Sequence, residues 1–140
     1  MITVPVTVII PTYKRGPALI DSLMKLSQCV PMPDEILIHF DGNDKESEAT
    51  LRSSRLTLPV ITIINANNVG PGGGRDVLIR KSRNEIIVSL DDDSYPIDIN
   101  FFDRVIELMK LNHGLSIVGA AITHQGEEIL ADERQAQLQL

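Results

Sequence analysis

The sequence has 140 residues, of which 43% are hydrophobic and 23% charged, so it is long enough to form one domain with a hydrophobic core. Its formal net charge of −6 disfavours nucleic acid as the main partner. The single cysteine, Cys29, excludes an intramolecular disulfide and favours a reducing compartment. Pro5 and Pro11 interrupt the short apolar N-terminus, which therefore resembles neither a signal peptide nor a membrane span.

Strand-like and helix-like segments alternate along the chain. The predicted strands are VTVII (6–10), EILIHF (35–40), PVITII (59–64), EIIVSL (85–90) and LSIVGAAIT (115–123). The predicted helices cover 16–29, 45–56 and 75–83, and a fourth lies past the acids at 91–93, carries Phe102, Val105, Ile106 and Met109 on one face and ends at Gly114. This alternation predicts an α/β fold with a mostly parallel sheet, right-handed crossovers and helices on both faces.

Candidate capping residues precede two of these helices. Asn43 or Asp44 precedes the second helix, and Asp98 or Asn100 precedes the fourth. The glycine-rich segment 65–74 is expected to be a loop, with the third helix starting after it.

Polar and glycine-rich segments follow four of the predicted strands. They are PTYKR (11–15), DGND (41–44), NANNVGPGGGR (65–75) and DDDSYP (91–96). The carboxyl ends of parallel strands lie at one edge of the sheet, and open α/β sheets bind ligands outside that edge. The sequence therefore predicts a ligand site formed by these four segments.

Three carboxylates, Asp91, Asp92 and Asp93, stand side by side after a buried strand. Neighbouring carboxylates oppose each other's ionisation unless positive charge lies among them. Their oxygens are the ligands that Mg²⁺ and Mn²⁺ prefer, and such a metal usually takes further oxygens from substrate phosphates. A metal site is one interpretation of this segment, and a solvated acidic turn is the other.

The segment GPGGGR (70–75) matches neither of two common phosphate-binding patterns. It lacks the Lys-Ser or Lys-Thr that ends a P-loop, and Arg75 stands where the dinucleotide fingerprint has glycine. The N–H groups at the start of the following helix favour an anion, and Arg75 adds a positive charge. A diphosphate is the ligand that this interpretation predicts, and a plain turn is the alternative.

Asp41 and Tyr13 each follow a predicted strand. Asp41 is either a turn or capping residue, or a carboxylate that accepts hydrogen bonds from a base or ribose. Tyr13 is either a core residue or a ring on which a base stacks. Lys14 and Arg15 are more often solvated than functional at such positions. His39 is expected to be a packed or an exposed histidine without a functional role.

Together these segments resemble the nucleotide-binding half of family 2 glycosyltransferases, inverting enzymes of the Rossmann-like GT-A fold. VTVIIPTYKR (6–15) resembles the family's opening strand and turn, and EILIHFDGND (35–44) its second strand with a terminal aspartate. NNVGPGGGRD (67–76) resembles the N-x-G-x-x-x-A-R-N segment, and IIVSLDDDSYP (86–96) the strand that ends in the DxD motif. The four segments fall in the family's order, with similar spacing.

The resemblance implies which residues bind the nucleotide. This set comprises Pro11, Thr12, Tyr13, Arg15, Asp41, Arg75 and Asp92. In the family's arrangement Thr12 and Tyr13 contact the base, and Asp41 hydrogen-bonds it. Arg75 approaches the nucleotide, and Asp92 holds ribose or a metal-bound water.

The resemblance also implies a divalent metal cofactor, Mn²⁺ or Mg²⁺. Asp93 is its expected ligand, bridging through the metal to the diphosphate, with Asp91 assisting. The departures from the family pattern are Lys14 for Asn, Gly42 for a second Asp, Gly74 for Ala and Asp76 for Asn. Asp76 adds an acid near the expected phosphates.

On this basis we expect residues 1–140 to form a single nucleotide-sugar-binding domain that lacks the C-terminal acceptor-binding part. The acids after the fifth predicted strand are Glu127, Glu128, Asp132 and Glu133, and their spacing selects none as the catalytic base. The catalytic residue is therefore unassigned.

The function that the resemblance implies is metal-assisted sugar transfer, with inversion, from a UDP-, GDP- or dTDP-sugar to a hydroxyl of a glycan or lipid acceptor. One alternative is a nucleotide-binding module without catalysis. Another is a sugar-1-phosphate nucleotidyltransferase, which needs a glycine-rich basic loop after the first strand that PTYKRG (11–16) lacks. We expect a cytoplasmic protein, with peripheral membrane attachment left open for a full-length form.

Overall fold

The computed structural model describes residues 1–120 and 122–124. Its elements in chain order are β1 (Thr3–Thr12), α1 (Gly16–Leu26), β2 (Met32–Phe40), α2 (Lys45–Ser53), β3 (Val60–Ile64), α3 (Gly70–Lys81), β4 (Ile86–Ser89) and α4 (Phe101–Leu111). The first four predicted strands are present, and β1 and β2 are longer than predicted. Within the described ranges, no helix combines the length and the apolar character needed to cross a membrane. The acids considered over 127–133 lie outside the described residues.

The four strands of the described residues form one parallel sheet in the order β3-β2-β1-β4. The chain winds outward from β1 through β2 to β3, then crosses back and adds β4 on the other side of β1. The direction of winding therefore reverses between β1 and β4. Open α/β sheets bind ligands at such a reversal, outside the carboxyl ends of the strands.

Alternate side chains of β1 belong to two separate cores. Val8 and Ile10 pack with Leu19 of α1 in a larger cluster, to which α2 and α4 also contribute. Ile9 points to the opposite face and packs with Leu78 of α3 in a smaller cluster. Both faces of β1 are covered, so its continuous apolar run is the pattern typical of a buried parallel strand. The predicted helices on both faces are confirmed.

The predicted fifth strand over 115–123 is wrong for the part that the structure describes. Residues 115–120, 122 and 123 have no strand conformation, and residue 121 lies outside the description. Ile117 and Ile122 are 75% and 86% exposed. The apolar run suggested a buried strand, but these side chains do not pack against the sheet of the described residues.

Helix α3 begins at Gly70, so the segment predicted to be a loop already contains the first turns of the helix. Pro71 suits this first turn because its φ is fixed near the helical value and no partner is needed for an N–H. Gly74 lies on the face that meets the sheet, where an added Cβ would stand 2.8 Å from His39 Nδ1 and 3.1 Å from Pro11 Cβ. Gly74 therefore allows close packing of helix on strand, which no local pattern in the sequence predicts.

His39 lies beneath this contact and is fully buried, as the packed interpretation predicted. Neither of its ring nitrogens has a hydrogen-bond partner within the described residues. The ring explains why glycine stands at 74 where the resembled family has alanine, since a methyl group has no room above it.

The predicted capping residues differ in their contacts. Asp44 caps α2, because its Oδ1 accepts the N–H of Ser47 at 3.2 Å. Asn100 precedes α4 but makes no capping hydrogen bond with its side chain.

We expect Gly74→Ala to destabilise the domain by about 1–3 kcal/mol, since overpacking a tight contact has this effect. Gly72→Ala is the matched control, because its added Cβ meets no atom within 4 Å in the same helix. There alanine should stabilise by about 0.5–1 kcal/mol, through its better helix propensity. Urea unfolding followed by circular dichroism measures both changes. Similar effects of the two substitutions would contradict the tight contact with His39.

Candidate functional site

An open cleft of about 400 Å³ lies at the carboxyl-terminal edge of the sheet. Its lining residues are Pro11, Thr12, Tyr13, Arg15, Asp41, Asn68, Gly70, Pro71, Asp91, Asp92 and Asp93. The structure therefore brings together every predicted site residue except Arg75, which contacts the acidic turn from α3. Another cavity, of about 520 Å³, lies at the opposite edge among mostly apolar side chains, with Arg55 as its charged residue.

The contact between Thr12 and Asp92 continues the pairing of β1 with β4. The last paired residues of the two strands are Ile9 and Ser89. Thr12 and Asp92 are separated by the same 80 positions, and the Thr12 hydroxyl donates to Asp92 Oδ2 at 2.8 Å. This register brings Asp92 into a buried position at the floor of the cleft.

Two arginines lie against the three carboxylates of the acidic turn, 91–93. Arg15 places Nη1 3.1 Å from Asp92 Oδ1 and Nη2 2.9 Å from Asp93 Oδ2. Arg75 forms an ion pair with Asp91. Three negative charges thus meet two positive ones, and the turn keeps one excess negative charge. This partial neutralisation is how the chain tolerates adjacent acids.

Burial raises the pKa of the Asp92 carboxyl above its ordinary value. The hydrogen bond from Thr12 and the charge of Arg15 act in the opposite direction, and the charges of Asp93 and Asp91 add to the rise. Additional positive charge beside this carboxylate would lower its pKa again. The excess negative charge of the turn, with three carboxylates against two guanidinium groups, favours the binding of a cation.

Asp41 is buried at the end of β2 and accepts hydrogen bonds from the start of α3. Its Oδ1 accepts the N–H of Val69 and its Oδ2 the N–H of Gly70, both at 2.9 Å. Oδ1 also accepts the N–H of Gly42 at 3.1 Å. The carboxylate thus occupies N–H groups at the start of α3, which are no longer free to bind an anion. Asp41 has the capping role, and it also lines the cleft.

Tyr13 forms one wall of the cleft, with 42% of its surface exposed. Its ring lies over Gly42, where an added Cβ would stand 3.0 Å from Tyr13 Cε2. Gly42 also has a φ of 58°, in the left-handed region that favours glycine. Both features explain why glycine stands at 42 in place of the family's second aspartate. The exposed ring is suited to stacking on a flat ligand.

The loop between β1 and α1 is held by Asp44. Lys14 has a φ of 54°, which is unfavourable for a residue with a Cβ, and its N–H donates to Asp44 Oδ2 at 2.6 Å. Burial by itself raises the pKa of Asp44, but the hydrogen bonds from Ser47 and from the Lys14 N–H outweigh it and lower the pKa. An ionised Asp44 therefore sets the conformation that directs Arg15 to the acidic turn.

Four residues of this site were absent from the predicted set. Asn68, Gly70 and Pro71 line the cleft, and Asn68 Oδ1 accepts the N–H of Gly70 at 3.0 Å. All the missed residues that line the cleft belong to segment 65–75, which the sequence already placed at this edge of the sheet. Asp44 was considered only as a cap, because a contact with Lys14 across two loops leaves no pattern in the sequence.

The side chains of the acidic turn have the donor chemistry of a divalent metal site. Among the described residues, no three His, Cys, Asp or Glu side chains converge to hold a metal by themselves. Asp91 and Asp93 nevertheless offer exposed carboxylate oxygens on one turn at the cleft. Mg²⁺ is commonly held by one or two carboxylates together with substrate phosphates and waters. The residues thus fit a divalent metal that binds together with a diphosphate.

We expect Asp44→Asn to destabilise the domain by about 1 kcal/mol at neutral pH, since the two N–H groups bind different carboxylate oxygens and an amide, with one oxygen, turns its NH₂ towards one of them. The folded-state pKa of Asp44 lies below the unfolded value near ~4, so its contribution is present above that pH. It is lost as the pH falls through the folded pKa. Urea unfolding at pH 7 and pH 3 should show the gap between variant and wild type narrowing in acid. A gap that is constant with pH would contradict the ionised role.

Three proteins are similar to parts of this chain, one in sequence and two in structure. The glycosyltransferase YwdF of Bacillus subtilis (strain 168), itself uncharacterized, is 30% identical over 90 residues, which are 64% of this chain and 33% of that protein. Mannosyltransferase PcManGT from Pyrobaculum calidifontis, solved with GDP-Man and Mn²⁺, has a TM-score of 0.67 at 19% identity, covering 75% of this chain and 32% of that one. S. aureus TarS 1-349, solved with UDP, has a TM-score of 0.65 at 22% identity, covering 79% of this chain and 33% of that one.

The chain thus spans about a third of the length of these relatives. The structural similarity confirms the α/β architecture of GT-A type that the sequence predicted. Residues 7–137 match the family described as Glycosyl transferase family 2. This chain therefore belongs to glycosyl transferase family 2.

Proposed function

We infer that this chain is the nucleotide-sugar-binding part of a metal-assisted, inverting glycosyltransferase that transfers a sugar to an acceptor hydroxyl. One observation carries this proposal: the cleft at the reversal point of the sheet joins an exposed aromatic ring, two buried aspartates and an acidic turn. GDP-Man and Mn²⁺ are bound by one structural neighbour and UDP by another, which supports a ligand of this kind.

The two ends of the cleft suit the two parts of a nucleoside diphosphate. Tyr13 offers a ring for stacking on the base, and Asp41, in the same wall, has lone pairs beyond those used by its three N–H donors. At the other end, Arg15 and Arg75 supply guanidinium groups beside the acidic turn. Guanidinium forks match phosphate oxygens in two-point hydrogen bonds.

Asp91 and Asp93 are the residues that would hold the metal. When bound, the metal would neutralise negative charge that develops on the leaving diphosphate. Asp92, buried and hydrogen-bonded to Thr12, keeps the turn attached to β1 while its neighbours contact the ligand. Arg75 fixes the orientation of Asp91 from the side of α3. Direct displacement at the sugar carbon then inverts its configuration, with a base taking the proton of the acceptor hydroxyl.

A nucleotide-binding module without catalysis is the second candidate, because the cleft has groups suited to a nucleotide and none of its lining residues is assigned as the catalytic base. Turnover of a nucleotide sugar to free nucleotide plus glycoside distinguishes the two functions. We propose a glycan or lipid as the acceptor. We also propose a cytoplasmic location, since the only cysteine, Cys29, is a buried free thiol.

Nucleoside diphosphate and metal should bind cooperatively, because each supplies what the other needs at the acidic turn. We expect UDP or GDP to bind about 5–150-fold more tightly with Mn²⁺ than without it, as in typical coupled binding. Asp93→Ala should remove most of this coupling and Asp91→Ala less of it. Isothermal titration calorimetry with and without Mn²⁺ measures the factor.

Asp98→Ala is the matched control for the coupling, since Asp98 is an exposed acid paired with Arg104 outside the cleft. It should leave the coupling unchanged. Identical nucleotide affinity with and without Mn²⁺ in the wild-type chain would identify the three acids as a solvated turn.

Tyr13 should contribute to nucleotide affinity even without metal. Tyr13→Ala is expected to weaken UDP or GDP binding about tenfold, because stacking on an aromatic ring contributes about 1–3 kcal/mol per base. Tyr13→Phe keeps the ring and should bind like the wild type. Asp41→Ala should also weaken metal-free binding, with a thermal melt reporting its separate effect on α3. Equal titration results for the Ala and Phe variants of Tyr13 would argue against stacking.

A further inference from the structure

Arg15 occupies the place of a cation at the acidic turn. Its guanidinium contacts Asp92 Oδ1 at 3.1 Å and Asp93 Oδ2 at 2.9 Å. Half of its side chain is exposed, and the side chain of Asp93 is 54% exposed. The contact with Asp93 is therefore one that a ligand can displace without disturbing the core.

The loop that carries Arg15 is held independently of these ion pairs. The N–H of Lys14 donates to Asp44, and Asp44 is buried and also caps α2. Gly16, directly after Arg15, is buried against α2, where an added Cβ would lie 3.2 Å from the Cα of Ser47. If the guanidinium left Asp93, its backbone would stay in place and the side chain would still reach the cleft.

A metal and Arg15 compete for the same oxygen. A divalent cation such as Mg²⁺ lies about 2.1 Å from a carboxylate oxygen, and Arg15 Nη2 lies 2.9 Å from Asp93 Oδ2. Two positive groups so close to one oxygen repel each other. A diphosphate in the cleft offers the guanidinium other anionic oxygens, which arginine binds strongly.

We propose that Arg15 makes metal binding depend on the diphosphate. In the nucleotide-free chain its guanidinium competes with the divalent cation for Asp93. When a nucleoside diphosphate binds, the guanidinium moves to the phosphate oxygens and Asp93 becomes available to the metal. This inference rests on the proposed function, because it needs both ligands in the cleft. Arg15 is then the origin of part of the cooperativity between the metal and the nucleoside diphosphate.

Mn²⁺ titrations followed by the electron paramagnetic resonance signal of the free ion test this role without an activity assay. Mn²⁺ is added to the wild-type chain and to Arg15→Gln, first alone and then with saturating UDP or GDP. We expect Arg15→Gln to bind Mn²⁺ alone at least about fivefold more tightly than the wild type, and to lose a similar factor of the coupling. Arg15→Lys keeps the charge but not the two-point guanidinium contact, so its Mn²⁺ affinity should lie between those of the wild type and Arg15→Gln.

Arg104→Gln is the matched control, since it removes the same charge from a surface ion pair with Asp98 away from the cleft. Its Mn²⁺ affinity should equal that of the wild type, and circular dichroism confirms that every variant is folded. Equal Mn²⁺ affinities of Arg15→Gln and Arg104→Gln, with coupling retained in both, would overturn the role of Arg15. If UDP or GDP does not change the Mn²⁺ affinity of the wild-type chain, the result contradicts the proposed function instead. Failure of the role of Arg15 and failure of the proposed function therefore give different results.

Discussion

The parallel register between β1 and β4 is the constraint on which the whole cleft depends. It aligns Thr12 with Asp92 and brings the acidic turn beside the loop that carries Arg15. Side chains alternate faces along a strand, so a shift of one residue in this register would turn Asp92 to the other face of the sheet. The buried apolar residues of β1 prevent such a shift, because it would also exchange the side chains between the two cores. Hydrophobic packing thereby fixes the position of the charged groups.

The charges at the cleft are arranged so that folding is possible before any ligand arrives. Asp92 is buried, and the proximity of Arg15 and the hydroxyl of Thr12 compensate it there. Its two neighbours remain exposed, where water screens their repulsion, and each meets one guanidinium. Partial compensation leaves a site that is stable alone and still attractive to a cation. A fully neutralised turn would be equally compatible with the folded state, but it would carry no net negative charge to attract a metal.

The other side of the cleft is built from close contacts between backbone and side chains. Asp41 joins the end of β2 to the start of α3, so the position of the helix follows from the position of the strand. Gly74 lets the helix approach over His39, and Gly42 leaves room for the ring of Tyr13 over the turn after β2. Each glycine stands where the resembled family carries a larger residue. The neighbouring side chains, a histidine and a tyrosine, take up the missing volume.

The sequence by itself determined the four strands and the edge at which their polar ends collect, and its resemblance to the family implied eight of the eleven residues that line the cleft. Apolar runs and the residues that interrupt them are local signals, so these features can be predicted without tertiary contacts. Tertiary structure decided that the segment starting at Gly70 is helical, since its four glycines have a low helix propensity and the helix packs closely on the sheet at Gly74. It also decided the pairing of Arg15 with the acids and the non-strand conformation of residues 115–120. Ion pairs between distant segments and the presence of a neighbouring strand depend on three-dimensional proximity, which leaves no periodic pattern in a single sequence.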